Sequence, residues 1–350
     1  MRQTIHRAAA AASLAILLAG GVAVAAGAQD ATKPAQGEGK PEPRKNATQD
    51  RTQEEKQEGK QETATAEVDL AALDRIGETC WADLRGKRIY FAHGALGAEI
   101  AKGVETILGR KPEIGLRVFS FKHEAREAKG RERRGERDAT AFDSPGVFHA
   151  TIRHDGEPED KIDAFEEFLL SDEASKVDIA VLKLSCADIG RSTDVNRVLD
   201  RYAQAVESIR AARPNLTIIH CTAPLREPDH GAKVAVKKMV GIGPDAANAT
   251  RGRYNDLLRR RFADDQILDV ASAESRRLDG TAEAVVVKNE RWPALAPEYG
   301  KGSHDLTEAG RVTLGREFLF ALSHCCAEAK ATKGEKPAVT AAPTGASTDE

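Results

Sequence analysis

His93-Gly94-Ala95-Leu96-Gly97 stands where an apolar run gives way to helical spacing. Glycines at such a turn leave backbone N–H groups free at a helix start, which can bind an anion or an ester oxygen. The same glycines also suit a turn that needs only their backbone freedom. His93 ends the apolar run and can donate to a ligand or make a structural hydrogen bond. His220 ends another apolar run, Leu216 to Cys221, and carries the same two readings. His304 precedes the last helical segment and is the best acid/base residue in the chain, although a lone imidazole needs a partner to be catalytic. Cys186 and His220 could form a nucleophile pair, but free cysteines more often serve as small buried hydrophobes. The sequence contains no Cys/His cluster with zinc spacing, no phosphate-cradling glycine-lysine loop and no aromatic-basic stacking pattern. No metal, cofactor or nucleic acid is therefore expected.

These residues are placed by alternating strands and helices. Strand patterns cover Arg88 to Ala92, Gly115 to Phe121, Val147 to Ile152, Val177 to Leu184, Leu216 to Cys221 and Gln266 to Val270. Helical spacing covers Ala98 to Leu108, Lys161 to Leu170, Asp194 to Ala211, Thr250 to Phe262 and Thr307 to Cys326. The Val177 to Leu184 run is almost continuously apolar, as a strand buried on both faces should be. A repeated β-α order with such strands predicts an α/β fold: a three-layer α/β/α sandwich with a mainly parallel sheet. Ligands of such sheets bind at the carboxyl ends of the strands. A lysine inside a buried strand is costly unless paired, so Lys183 is expected to form an ion pair with Asp188 or another carboxylate.

Export is legible at the amino terminus. Arg2 and Arg7 precede an Ala/Leu-rich run that ends in Ala26-Gly27-Ala28, a small-x-small cleavage pattern. Residues 1–28 read as a signal peptide and 29–67 as a disordered polar linker. Residues 68–330 read as the folded domain and 331–350 as a disordered tail. The expected location is exported: periplasm, cell envelope or medium, with no integral membrane domain after cleavage. The 350 residues carry a net charge of -3, which argues against nucleic acid as a partner. In an oxidising compartment, Cys80 is expected to bridge to Cys325 or Cys326. The mixed-charge tract from Lys122 to Arg137 reads as a solvated helix or loop.

Several tracts, in order, resemble the SGNH/GDSL-type hydrolases, in the branch whose first block reads roughly FGHxSVG. They are Ile89 to Gly97, Asp155-Gly156-Glu157-Pro158 with Lys161, Val177 to Ile189, and Ile219 to Leu225. Asn248 to Arg251 with Tyr254-Asn255, Leu268 to Ala271 with Glu274-Ser275, and Gly302 to His304 with Thr307 to Gly310 complete the set. The resemblance implies an SGNH/flavodoxin-like fold and an acyl or acetyl ester hydrolase acting on a small-molecule or polysaccharide ester. It puts the nucleophilic serine at Ala95, the oxyanion asparagine at Asp155 and the base at His304. Gly94, Gly97, His93 and His220 fall among the implied substrate-binding positions. Three departures stand at the chemistry. Ala95 has no oxygen to attack with, Asp155 would repel a developing oxyanion, and Lys301 replaces the aspartate expected three residues before His304. The chain reads either as a degenerate member or as a non-catalytic ligand-binding or structural envelope protein on the same fold.

Overall fold

The computed structural model describes residues 68–121, 142–152, 155–228, 244–263, 265–301 and 305–326. The segments expected to be signal peptide, linker and tail, the Lys122 to Arg137 tract and His304 lie outside the described residues.

Apolar periodicity of two builds the sheet. Strand β1 (Arg88–His93) turns Ile89 and Phe91 to one face and Tyr90 and Ala92 to the other, and all four are buried. Strands β2 (Val118–Ser120), β3 (Gly146–Thr151), β4 (Ile179–Lys183), β5 (Thr217–Cys221) and β6 (Ile267–Leu268) join it. The spatial order is β2-β3-β1-β4-β5-β6, and every pairing is parallel. Without the short edge strand β2, this is the flavodoxin-like doubly wound order. The order reverses direction between β1 and β4, so the ligand crevice of this architecture opens above those two strand ends.

Helices cover both faces. Helices α1 (Glu78–Arg85), α2 (Gly97–Arg110) and α7 (Glu308–Ser323) bury their apolar residues with Ile89, Phe91 and Val181. Helices α3 (Pro158–Leu170), α4 (Val195–Ala212) and α5 (Pro244–Arg261) pack on the opposite face with Tyr90, Ala180 and Leu182. The expected three-layer α/β/α architecture is the one observed. A short helix α6 (Val270–Ser275) follows β6, and a two-stranded hairpin pairs β7 (Ala284–Val287) with β8 (Glu290–Pro293). Among the described residues no helix is long and apolar enough to cross a membrane.

Several expected boundaries move for local reasons. The strand expected from Gln266 to Val270 stops at Leu268, because the Asp269 carboxylate caps α6 by accepting from the Ser272 amide. The strand expected from Gly115 shortens to Val118–Ser120, because Gly115 closes a 3₁₀ turn at φ 67°. Helix α5 starts at Pro244 rather than Thr250. Cys80 bridges to Cys326, which resolves the two alternatives and ties α1 to the residues just beyond α7. The close crossing of α2 and α7 depends on Gly103 and Gly315. A Cβ at Gly103 would fall 1.9 Å from the Arg311 carbonyl oxygen. Gly103→Ala should therefore cost about 1–3 kcal/mol from overpacking, read as a lower midpoint in urea unfolding. An unchanged midpoint would mean the helices separate freely.

Candidate functional site

The crevice floor is built from the ends of β1 and β4. The Gly94 amide donates to the Lys183 carbonyl at 3.0 Å, which fastens the turn after β1 to the end of β4. Leu96 then takes the left-handed conformation, φ 68°, unusual for a residue with a side chain. The chain reverses there into α2. Ala95 is exposed at the tip of this turn, and its backbone amide and that of Leu96 have no acceptor among the described residues. Gly97 has to be glycine, since a Cβ there would meet the His93 ring at 2.1 Å.

His93 is buried beneath the turn. Its Nδ1 lies 2.9 Å from the Gly94 carbonyl oxygen and its Nε2 lies 3.1 Å from His149 Nδ1. A carbonyl only accepts, so Nδ1 of His93 carries the proton and Nε2 accepts from His149. Burial lowers the His93 pKa to about 3, which keeps the ring neutral. Its role is to hold the turn, and the pairing with His149 has no clear sequence signal beyond two histidines on neighbouring strands.

A charged cluster stands beside Gly94. Lys161, fully buried on α3, donates to Asp188 at 2.8 Å and to Asp155 at 2.6 Å, with Ser185 Oγ at 3.4 Å. The Asp188 carboxylate also accepts from the Ser185 and Gly156 amides at 2.6 and 2.9 Å. The missing side chain of Gly94 makes room for this ammonium, because a Cβ there would lie 2.7 Å from Lys161 Nζ. Asp155 keeps much of its side chain in solvent, at 58% exposure, so one oxygen pairs with Lys161 at the edge of the crevice. Lys161, which the sequence offers only as part of a block, is the ion-pair partner of Asp188. Lys183 is not. Period-two alternation points Lys183 to the same face as Ile179 and Val181, where it donates to the Ala95 and Leu184 carbonyls at 3.1 and 3.4 Å.

The remaining candidates separate. His220 shares the face of Ile218 and points into the α4/α5 layer, stacked on Phe262 at 3.8 Å. Its Nδ1 meets Tyr202 Oη at 3.0 Å and its Nε2 meets Asp265 at 3.3 Å, so both ring nitrogens are engaged. The structure gives His220 structural partners and does not bring it to Cys186. Cys186 Sγ instead faces the Leu225 carbonyl at 3.5 Å, and burial raises its pKa, which disfavours the thiolate. Two buried charged side chains that single-residue patterns do not mark brace the same loops. Arg251 donates to the Cys186 carbonyl at 2.8 Å, and Glu274 accepts from the Leu225 amide at 2.6 Å. Burial pushes the Glu274 carboxyl up to about 7.

Burial lowers the His220 pKa to about 4 from 6.5. The unfolded chain then binds the extra proton between those values, so this part of the stability is complete above about pH 6.5 and is lost as pH falls toward 4. Glu274, raised in pKa, acts with the opposite sign. Comparing His220→Gln with the parent protein cancels that contribution. Between pH 7 and pH 4.5 the variant should lose about 2 kcal/mol less than the parent by urea unfolding at each pH. Equal losses would refute the assignment.

No protein-family model matches the chain, and no curated protein sequence does. Solved structures do. A Streptococcus pneumonia protein provisionally described as a platelet activating factor is 14% identical, with a TM-score of 0.40 over 73% of this chain and 100% of its own. A peptidoglycan O-acetylesterase is 11% identical, with a TM-score of 0.31 over 52% of this chain and 48% of its own. The periplasmic domain of a lipopolysaccharide acetyltransferase from Salmonella ser. Paratyphi A is 13% identical, with a TM-score of 0.34 over 72% of this chain and 88% of its own.

Proposed function

We propose that this chain is an exported protein of the SGNH/GDSL hydrolase type whose serine mechanism is lost and whose crevice persists as a ligand-binding site. One observation carries the reading. The position that the ordered sequence blocks give to the nucleophile is Ala95, exposed on the turn after β1 at the reversal point of the sheet. An ester hydrolase of this type needs an oxygen there to attack the carbonyl. The neighbouring departure supports the same conclusion, because Asp155 presents a carboxylate, paired with Lys161, where a neutral donor would stabilise an oxyanion. Export rests on the charged, apolar and small-residue succession of residues 1–28.

The test is a screen of the purified chain with short-chain acyl esters and acetylated polysaccharides. The expected result is no turnover above buffer. Turnover abolished by Cys186→Ala would favour a different nucleophile, and turnover abolished by altering His304 would favour a shifted serine-type site. Either result would overturn the proposal.

A further inference from the structure

Three cysteines meet where α1 packs on the end of α7. Cys80 is bonded to Cys326, and the residue beside Cys326 is Cys325, a thiol. All three are buried in one core cluster, with Trp81, Leu84 and Leu322. The Cα atoms of Cys80 and Cys326 are 5.5 Å apart. Neighbouring Cα atoms of a chain are about 3.8 Å apart, so the Cys325 Cα lies within about 9.3 Å of that of Cys80. Disulfides span Cα separations of up to about 6.8 Å, so a shift of at most about 2.5 Å brings Cys325 into bridging range. The segment that has to shift is short. Residues 324–326 follow α7 as turns, with the Cys325 amide on the Leu322 carbonyl at 2.9 Å and the Cys326 amide on the Ser323 carbonyl at 3.2 Å. Cys80 Sγ lies 3.4 Å from the Ser323 carbonyl oxygen, so this sulfur already sits against the segment. The Cys325 thiol contacts the Ala321 carbonyl at 3.7 Å, and a thiol is a weak donor that loses little on leaving.

We propose that the Cys80–Cys326 bridge is exchangeable, and that Cys325 is the thiol that displaces Cys326 from it. The Cys325 thiol gives its proton to solvent, and the thiolate attacks Cys80 Sγ. The Cys80–Cys326 bond breaks as the Cys80–Cys325 bond forms. Cys326 leaves as a thiolate and takes up a proton. One disulfide and one thiol stand on each side of the step, so no oxidant or reductant is consumed. Either bridge ties α1 to the end of α7, but the point of attachment moves by one residue. The turns that follow α7 have to wind or unwind as the bridge migrates, which makes the tie a thiol-operated conformational switch. The inference is independent of the function proposed above.

The experiment incubates the full chain without added thiol at about pH 8.5, where thiolates form. The chain is then labelled with N-ethylmaleimide in acidic urea, and fragmentation of the unreduced peptides places the label. Label should appear on both Cys325 and Cys326. Label confined to Cys325 would overturn the proposal. In Cys325→Ser the label on Cys326 should be lost. Its persistence there would assign the opening to Cys186 or Cys221 and overturn the role of Cys325. Cys326→Ser, refolded with reduced and oxidised glutathione, should bridge Cys80 to Cys325. It should also unfold at a higher urea concentration than Cys80→Ser. A reduced Cys80 in folded Cys326→Ser would overturn the proposal as well. If Cys326→Ser does not fold, the labels on the parent chain and on Cys325→Ser decide.

Discussion

Ala95→Ser combined with Asp155→Asn is expected to hydrolyse p-nitrophenyl acetate about 10²-fold faster than Ala95→Ser alone. The single change restores an oxygen at the tip of the β1 turn, where the site is exposed and the cost in stability small. It leaves the Asp155 carboxylate at the crevice edge, opposing the charge that develops on the carbonyl oxygen. The second change removes that charge and supplies an N–H₂ donor. An asparagine oxygen can still accept from Lys161, which also keeps its 2.8 Å pair with Asp188, so the cluster beside Gly94 persists. Initial rates for the two variants, with both shown folded by circular dichroism, decide the matter. A double variant no faster than the single one would mean that residue 155 does not face the oxyanion.

Lys161→Met should destabilise the protein by about 3–5 kcal/mol, because it strands the buried Asp188 carboxylate without its counter-charge. Asp188 would retain only the Ser185 and Gly156 amides. Lys161→Met with Asp188→Leu should recover much of the loss, since two apolar side chains can replace a buried ion pair at little net cost. Guanidinium unfolding of the parent, the single and the double variant measures both numbers. A single-variant loss below about 1 kcal/mol would show that the pair is solvated and weak.

The sheet was legible because its strands are long apolar runs set between helical periodicities. Val177 to Leu184 could hardly be read otherwise. Helix α1 has eight residues and only a narrow apolar stripe of Cys80, Trp81 and Leu84, too short for a periodicity argument. The β7/β8 hairpin carries little sequence signal because its turn, Lys288 and Asn289, uses two left-handed residues without the usual glycine. In the site, the Gly94 to Gly97 turn was found from its glycines, and the structure adds the reasons: room for Lys161 at Gly94 and for the His93 ring at Gly97. The partner of Asp188 differs from the expectation. A buried lysine does need compensation, but side-chain alternation along β4 sends Lys183 toward Ala95, while Lys161 reaches Asp188 from α3. His220 stands near a strand end, a place that suggests the crevice. Its parity instead turns it into the core between Tyr202 and Phe262.

The most direct measurement on the lost nucleophile is labelling with a fluorophosphonate, which forms a covalent bond to an activated serine, followed by peptide mapping. The parent chain should remain unlabelled, and folded Ala95→Ser with Asp155→Asn should acquire the label on the peptide that contains residue 95. Labelling of any serine in the parent chain, Ser185 included, would contradict the account, as would a folded double variant that stays unlabelled.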